Sequence, residues 1–569
     1  MKRIYKIMSL ALVCGSIFFY SCETTNLDLT ENPNALVPSQ ADVDFFMNSI
    51  QEDFVRQLDG DASVGADNWS TGGNQNGDGL NDFGLTLTRI YNLGGRSYAS
   101  ALQPGDGDDE WRNAYAGMLI DIKNMNVLAA EAGQTHHIAM GQFFEAYTLV
   151  TLVDFFGDIP LTEAIQGADN LNPSFDSGAD IYDYALGLLD QAIVNFKSDA
   201  SAEPQNDLYY GGNWIKWEKA ANTLKMKIYL QRRLVDGSAK ASFDAIVNSG
   251  NYISSTADDF QYNWPASSAS NPDTRHPRYG LNYQATGAGD YMSNWLMNLM
   301  DTKHDPRIRY YFYRQNAATP GSSEAAPNEE TLNCSLESPP QHYIDGGFTF
   351  CWLENGYWGR DHGDDEGIPP DGLLRTTFGV YPYGGQFDDD SFSAIGLGTG
   401  GGGAGITPIL TATYVDFYKA EFAMESGDMT GAKAAMLDGV AKSIAKVQPF
   451  KAVDPSSDGS FEPSDNDIIN YIDNVGSSFD AANTKGKWNV VSEQYWIAVV
   501  GNGVEPYNYY RRTGFPTTLQ PNLEPNPGTF VRSLWLPTAT VNTNSNATQK
   551  PDVTQPVFWD TNATAPEAN

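Results

Sequence analysis

The stretch YVDFYKAEFAMESGDMTGAKAAMLDGVAKSIAKVQP, Tyr414 to Pro449, decides the fold class. Tyr414, Phe417, Tyr418 and Glu421 recur at helical spacing and lead into the turn pair Gly427-Asp428. Ala432, Met436, Val440 and Ile444 then form a second stripe, and Pro449 forbids the helix to continue. Helix, Gly turn, small-residue helix and closing Pro over about 34 positions make a unit that cannot bury its own apolar face. Such a unit needs stacked neighbours.

Neighbours of the same kind lie upstream. Ile181, Tyr184, Ala185, Leu188, Ala192, Ile193 and Phe196 repeat at three and four, as do Trp217, Ala220, Ala221, Leu224 and Ile228. The run from Phe143 to Phe156 is apolar almost all round, which predicts a helix buried within a larger body, ended by Gly157-Asp158-Ile159-Pro160. Pairs are expected from about 111–131 with 136–156 and from 180–197 with 214–234. Trp111, Trp217 and Trp496 fall in these helical patterns and are expected in the core. The predicted fold is therefore mostly α, a scaffold of tetratricopeptide-like helix pairs. Residues 60–108 and about 258–408 are different: rich in Gly, Asn, Asp, Pro and aromatics, with little periodicity. Loops that long inside a domain are uncommon and often functional.

Composition narrows the function. The 569 residues carry 71 acidic against 35 basic side chains, a formal charge of −36, and 41% are hydrophobic. That is enough apolar matter for a core, and a poor counterion for phosphates, so no nucleic-acid partner is expected. Lys2, Arg3 and Lys6 precede an apolar run, Ile7 to Tyr20, and then Ser21-Cys22. This reads as a lipoprotein signal peptide over 1–21, with Cys22 lipidated and 22–40 a polar tether to a single domain over 41–569. Beyond the signal no run is long and apolar enough to span a bilayer. Cys14 leaves with the signal; Cys334 and Cys351 are either one disulfide or two buried thiols.

Five motifs in order resemble the SusD/RagB-like outer-membrane lipoproteins of Bacteroidetes, in their second SusD-like sequence subfamily. Asn32-Pro33-Asn34-Ala35-Leu36 is similar to the N-terminal signature, and Phe156-Gly157-Asp158-Ile159-Pro160-Leu161 to the turn closing an apolar helix. Gly359-Arg360-Asp361-His362-Gly363-Asp364 with Ile368-Pro369-Pro370-Asp371-Gly372 resembles the central loop. Tyr510-Arg511-Arg512-Thr513-Gly514-Phe515-Pro516 and Val557-Phe558-Trp559-Asp560-Thr561-Asn562 resemble the two C-terminal elements. The resemblance implies a helical fold with four tetratricopeptide-like pairs and a loop-rich face. It also implies a protein at the outer membrane, facing the cell exterior, that captures oligosaccharide and passes it to a SusC-type TonB-dependent transporter; some members favour peptides. The motifs fix no ligand-contacting residue.

The chemistry of the remaining residues favours binding over catalysis. Acidic clusters such as Asp388-Asp389-Asp390 follow from abundance, no HExxH or G-x-S-x-G occurs, and Gly400 to Gly403 lacks the Lys-Ser/Thr of a phosphate loop. A surface glycoside hydrolase is the alternative from another class. No cofactor is expected, calcium aside. Asn74, Asn76, Asp78 and Asp82 partly follow a calcium loop, against a solvated Asn/Gly loop as the other reading; Asp361, Asp364 and Asp365 form a second candidate. Sugar rings pack their C–H faces on aromatic rings while amides and guanidinium groups take the hydroxyls. Trp69 with Asn68, Asn74 and Gln75 supplies that combination on a loop, as do Trp264 and Trp358 with Arg360. Each Trp has a second reading, an aromatic that packs its loop onto the scaffold. Lipidation is directly testable: radiolabelled palmitate is expected to enter the wild-type chain and not Cys22→Ala, and label persisting in the variant removes the anchor.

Overall fold

Helix boundaries are set by short side chains that answer the free N–H groups of each first turn. Ser177 accepts from Asp180 N, Asn213 from Lys216 N and Thr411 from Tyr414 N, each at 3.2 Å, and Asp428 accepts from Gly431 N at 2.9 Å. Ser464 and Asp467 form a reciprocal capping box. At the far end of the most apolar helix, Gly157 takes φ 83° and its N–H returns to Val153 O at 2.9 Å, a conformation open to Gly at little cost.

The structure is a computed structural model that describes residues 42–60, 79–266, 273–320, 332–364 and 374–562. Its principal helices are α1 (Val43–Asp59), α2 (Leu80–Leu87), α3 (Leu119–Ala132), α4 (Thr135–Phe156), α5 (Gly178–Phe196), α6 (Trp214–Gln231) and α7 (Ala239–Ser249). They continue with α8 (Asn294–Thr302), α9 (Ala412–Glu425), α10 (Met429–Val447), α11 (Asp465–Ala481), α12 (Thr484–Ala498) and α13 (Val504–Thr513). Val43–Asn569 forms one compact unit; of the other, Met1–Asp42, only Asp42 is described. Among the described residues no helix is long and apolar enough to cross a membrane.

Antiparallel pairing builds the scaffold. α3 packs on α4, α4 on α5, α5 on α6 and α6 on α7; α9 packs on α10, which α11 and α12 then cover. The mostly helical fold and its pairs agree with the sequence pattern. α4 is buried along nearly its whole length, and Phe143 and Phe144 meet Trp217 of α6 edge-on at 5.3 and 5.6 Å. Trp111, Trp217 and Trp496 are buried.

The described parts of the two aperiodic segments hold more regular structure than their composition suggests. α2 lies in the first and is covered on every face, so its sequence shows no polar–apolar contrast for a 3.6-residue period to expose. The second is tied at its base by an antiparallel ladder between β1 (Phe260–Asn263) and β4 (Ile406–Leu410), with Phe260 opposite Leu410 and Asn263 opposite Ile406. Inside it lie α8 and a smaller ladder, β2 (Phe312–Tyr313) on β3 (Thr377–Phe378).

Several of the recognisable motifs are clamps between distant helices. Arg512 of α13 grips Glu421 of α9 with Nε at 2.9 Å and Nη2 at 2.8 Å, and Arg233 adds a third contact at 2.9 Å. Burial acts to raise the Glu421 carboxyl, but Arg512 and Arg233 outweigh it and its pKa is lowered. Breaking a buried pair leaves the partner charge under-compensated, at about 3–5 kcal/mol. Arg512→Ala is therefore expected to cost a sizeable part of that in urea denaturation. Lys240→Ala, which breaks an exposed pair with Asp244, should leave the midpoint unmoved. Equal effects would show that the clamp is not what ties α9 to α13.

Candidate functional site

The loop face opens into a cavity of about 260 Å³, walled by the segment from Leu332 to Asp364 and closed by Leu523, Glu524 and Pro525. Three constraints hold that wall in place. Cys334 and Cys351 are bridged, with Cα atoms 5.5 Å apart, and Cys334 itself faces the cavity. Ser293 and Arg360 form a parallel bridge: Arg360 N donates to Met292 O and Asn294 N to Arg360 O, both at 2.9 Å. Asp361, fully enclosed beneath, accepts from Cys351 N at 2.6 Å, Gln520 Nε2 at 2.8 Å and Asn294 Nδ2 at 3.1 Å. Burial pushes its carboxyl up to about 6, against the pull of those three bonds. One carboxylate thus joins the disulfide loop, the start of α8 and the chain after α13.

Polar and apolar groups alternate around the opening. Phe350 and Leu332 supply the apolar wall; Arg96, Arg360, Asp364 and Glu524 supply charge. The Arg360 and Arg375 guanidinium groups both lie over the Tyr291 ring, each 3.8 Å from its centre, which fixes the planes of two flexible side chains. Behind the wall Trp358 packs with Leu332 and Cys351, and its indole Nε1 has no hydrogen-bond partner among the described residues. The same is true of Asn522 Nδ2, which lies against Gly363 of the wall: a Cβ there would meet the Asn522 amide at 2.4 Å. Neither atom belongs to the lining, so a ligand there meets Phe350, Arg96, Arg360 and Glu524 instead.

The residues singled out from sequence are distributed unequally about this cavity. Arg360 lines it. Trp358 is 1% exposed, packs with Leu332 and Cys351 and is not part of the lining. Trp264 is a correction: at 4% exposure it donates from Nε1 to Thr407 Oγ1 at 2.9 Å and packs on Tyr262 and His276, so it braces the ladder between β1 and β4. Asn68, Trp69, Asn74, Gln75, Asn76 and Asp78 lie outside the described residues, as does Cys22. Asp82, the last member of the calcium candidate, pairs with Arg278. In the second cation candidate Asp361 is spent on the three donors above and Asp365 lies outside the described residues. Among the described residues no group of three His, Cys, Asp or Glu is placed to hold a metal. Sequence reasoning missed Arg96, Phe350 and Glu524. The aromatic flanks of Cys351, Phe350 and Trp352, were the available signal for the second of these.

Comparison with known proteins agrees with this architecture. A family model described as "Starch-binding associating with outer membrane" matches residues 67–333, and one described as "Susd and RagB outer membrane lipoprotein" matches residues 405–553. No curated protein matches the sequence. Among solved structures, a SusD/RagB family protein from Bacteroides thetaiotaomicron superposes with a TM-score of 0.62 at 18% identity, covering 92% of this chain and 99% of its own. A chitin-binding SusD homolog from Flavobacterium johnsoniae gives 0.61 at 16% identity, covering 91% and 99%. A further structure, described as a chitin-binding protein, gives 0.63 at 17% identity, covering 92% and 100%. The structural likenesses establish the shared fold, and the two sequence-family matches, in order and together spanning most of the chain, establish the lineage: this chain belongs to the SusD/RagB-like family.

Proposed function

We propose that this chain is a lipoprotein of the outer membrane, anchored through Cys22 and facing outward. In this reading it captures oligosaccharide on its loop face, delivers it to a SusC-type TonB-dependent transporter, and carries out no catalysis itself. The observation that carries the reading is the cavity over Leu332 to Asp364. It combines the Phe350 ring, the Arg360 guanidinium fixed over Tyr291 and the polar Arg96 and Glu524 side chains, the complement of a ring with C–H faces and hydroxyl or carbonyl oxygens. Its size suits part of a chain rather than a polymer, as capture and release require. Trp69 with Asn68, Asn74 and Gln75 is proposed as a further contact, in the sequence that precedes α2. Family membership supports the nutrient-binding role, and the chitin-binding descriptions of two similar structures make N-acetylglucosamine oligomers the first ligands to try.

The test uses the mature lipoprotein in detergent, titrated with chitohexaose and maltoheptaose. Phe350→Ala is expected to weaken binding by about 1–3 kcal/mol, the range for a contact aromatic, with little change in thermal midpoint. The oligosaccharide should be recovered intact by chromatography. Shorter products accumulating in proportion to protein would promote the hydrolase alternative, and a ligand displaced only by peptides would promote peptide capture.

A further inference from the structure

A second cavity, about 610 Å³, lies on the helical scaffold in the loop that joins α5 to α6. It shares no lining residue with the cavity on the loop face. Its wall is held from below without using the groups it presents. Gln51 of α1 clamps the loop backbone twice, donating to Asn206 O and accepting from Leu208 N, both at 2.9 Å. Gln205 N donates to Asp44 Oδ1 at 2.9 Å. Trp214 is half-buried at the start of α6, braced by Phe196 at 6.1 Å in a near-parallel stack and by the His136 ring at 4.2 Å.

The charges in this cup are spent internally. Glu203 Oε2 meets His136 Nδ1 at 2.5 Å. The Asp207 carboxylate takes Tyr209 N at 3.0 Å, Tyr210 N at 3.1 Å, Gly212 N at 2.8 Å and Trp217 Nε1 at 2.8 Å. What remains for a ligand is neutral: the Gln205 and Asn206 amides and the Trp214 indole N–H, which make no hydrogen bond to described residues. An aromatic edge, two free amides and a prefixed backbone form a cup that loses little freedom on binding. A polyanion is disfavoured by the formal charge of −36, and no cation-binding carboxylate is left over.

We propose that this cup is a second glycan site, taking a neutral, hydroxyl-bearing chain; the inference rests on the reading that the protein binds glycans and adds a site to it. The experiment follows hydrogen–deuterium exchange and calorimetric stoichiometry of the mature lipoprotein in detergent with chitohexaose and with maltoheptaose. The expected result is protection of 203–214 as well as 332–364 by a glycan that binds. The double variant Gln205→Ala with Asn206→Ala should lose the first protection, keep the second, and weaken that binding event about tenfold, the sum of two neutral hydrogen bonds. Both side chains are exposed, so the fold should be unaffected; Trp214→Phe, which keeps the brace and removes the N–H, gives a second variant with the same expected direction. Protection confined to 332–364, or protection of 203–214 that survives both variants, overturns the second site alone. Protection of neither segment by either probe overturns both readings. Protection of 203–214 by a tryptic peptide mixture and by neither glycan overturns the assignment of ligand class.

Discussion

The buried polar cluster around Asp154 and Arg511 is the constraint on which the rest of the fold depends. Asp154 sits in the last turn of the most apolar helix and is fully enclosed, so its carboxylate needs hydrogen-bond donors. Trp559 Nε1 donates to it at 2.9 Å, Asn508 Nδ2 at 2.7 Å, and the Tyr182 hydroxyl as well. Arg511 donates to Asn508 Oδ1 at 2.6 Å and lies between the Tyr507 and Trp559 rings, 3.7 and 4.7 Å from their centres. Four parts of the chain, α4, α5, α13 and the C-terminal tail, therefore meet at one carboxylate. A buried carboxylate with this many donors favours a single arrangement, because moving any one partner away leaves a buried donor or charge unpaired.

From that cluster the site follows by continuity of the chain. Helix α13 ends at Thr513, and the residues after it supply Gln520 and Asn522 beneath the cavity and Leu523, Glu524 and Pro525 along its edge. The opposite wall belongs to the long insertion, whose base is held by the ladder of β1 with β4 and whose inner loop is held by the disulfide. Asp361 ties the two together. A cavity built from three distant segments keeps its shape only if each is anchored before a ligand arrives, and preorganisation of this kind lowers the entropy lost on binding. The loops form the cavity; the scaffold holds it rigid.

Charge is handled in the same spirit. The surface is strongly acidic, yet the basic side chains are concentrated where they lock helices or stack on rings, as Arg512, Arg511, Arg360 and Arg375 do. Of the two cavities, the one between α5 and α6 is left with neutral amides and an indole, while the one on the loop face keeps charged side chains of both signs.

Helical periods, caps and breakers are local properties, so the helices around Tyr414 to Pro449, Ile181 to Phe196 and Phe143 to Phe156 were legible from sequence, as was the lineage from five ordered motifs. The role of those motifs was not. Arg511, Arg512 and Trp559 read as a signature, while their partners Asp154 and Glu421 stand hundreds of residues or nearly a hundred away, beyond any local pattern. Helix α2 escaped because burial on every face erases periodicity, and Trp264 misled because an aromatic in a polar loop looks the same whether its ring meets solvent or Thr407. For the helices with a clear apolar stripe the sequence by itself determined where each lies and what ends it, because those depend on neighbours within a few positions. Only the tertiary structure decided which aromatic rings are spent on packing, which cysteines meet and which side chains line a cavity, because burial and pairing depend on contacts between residues that the chain brings together from far apart.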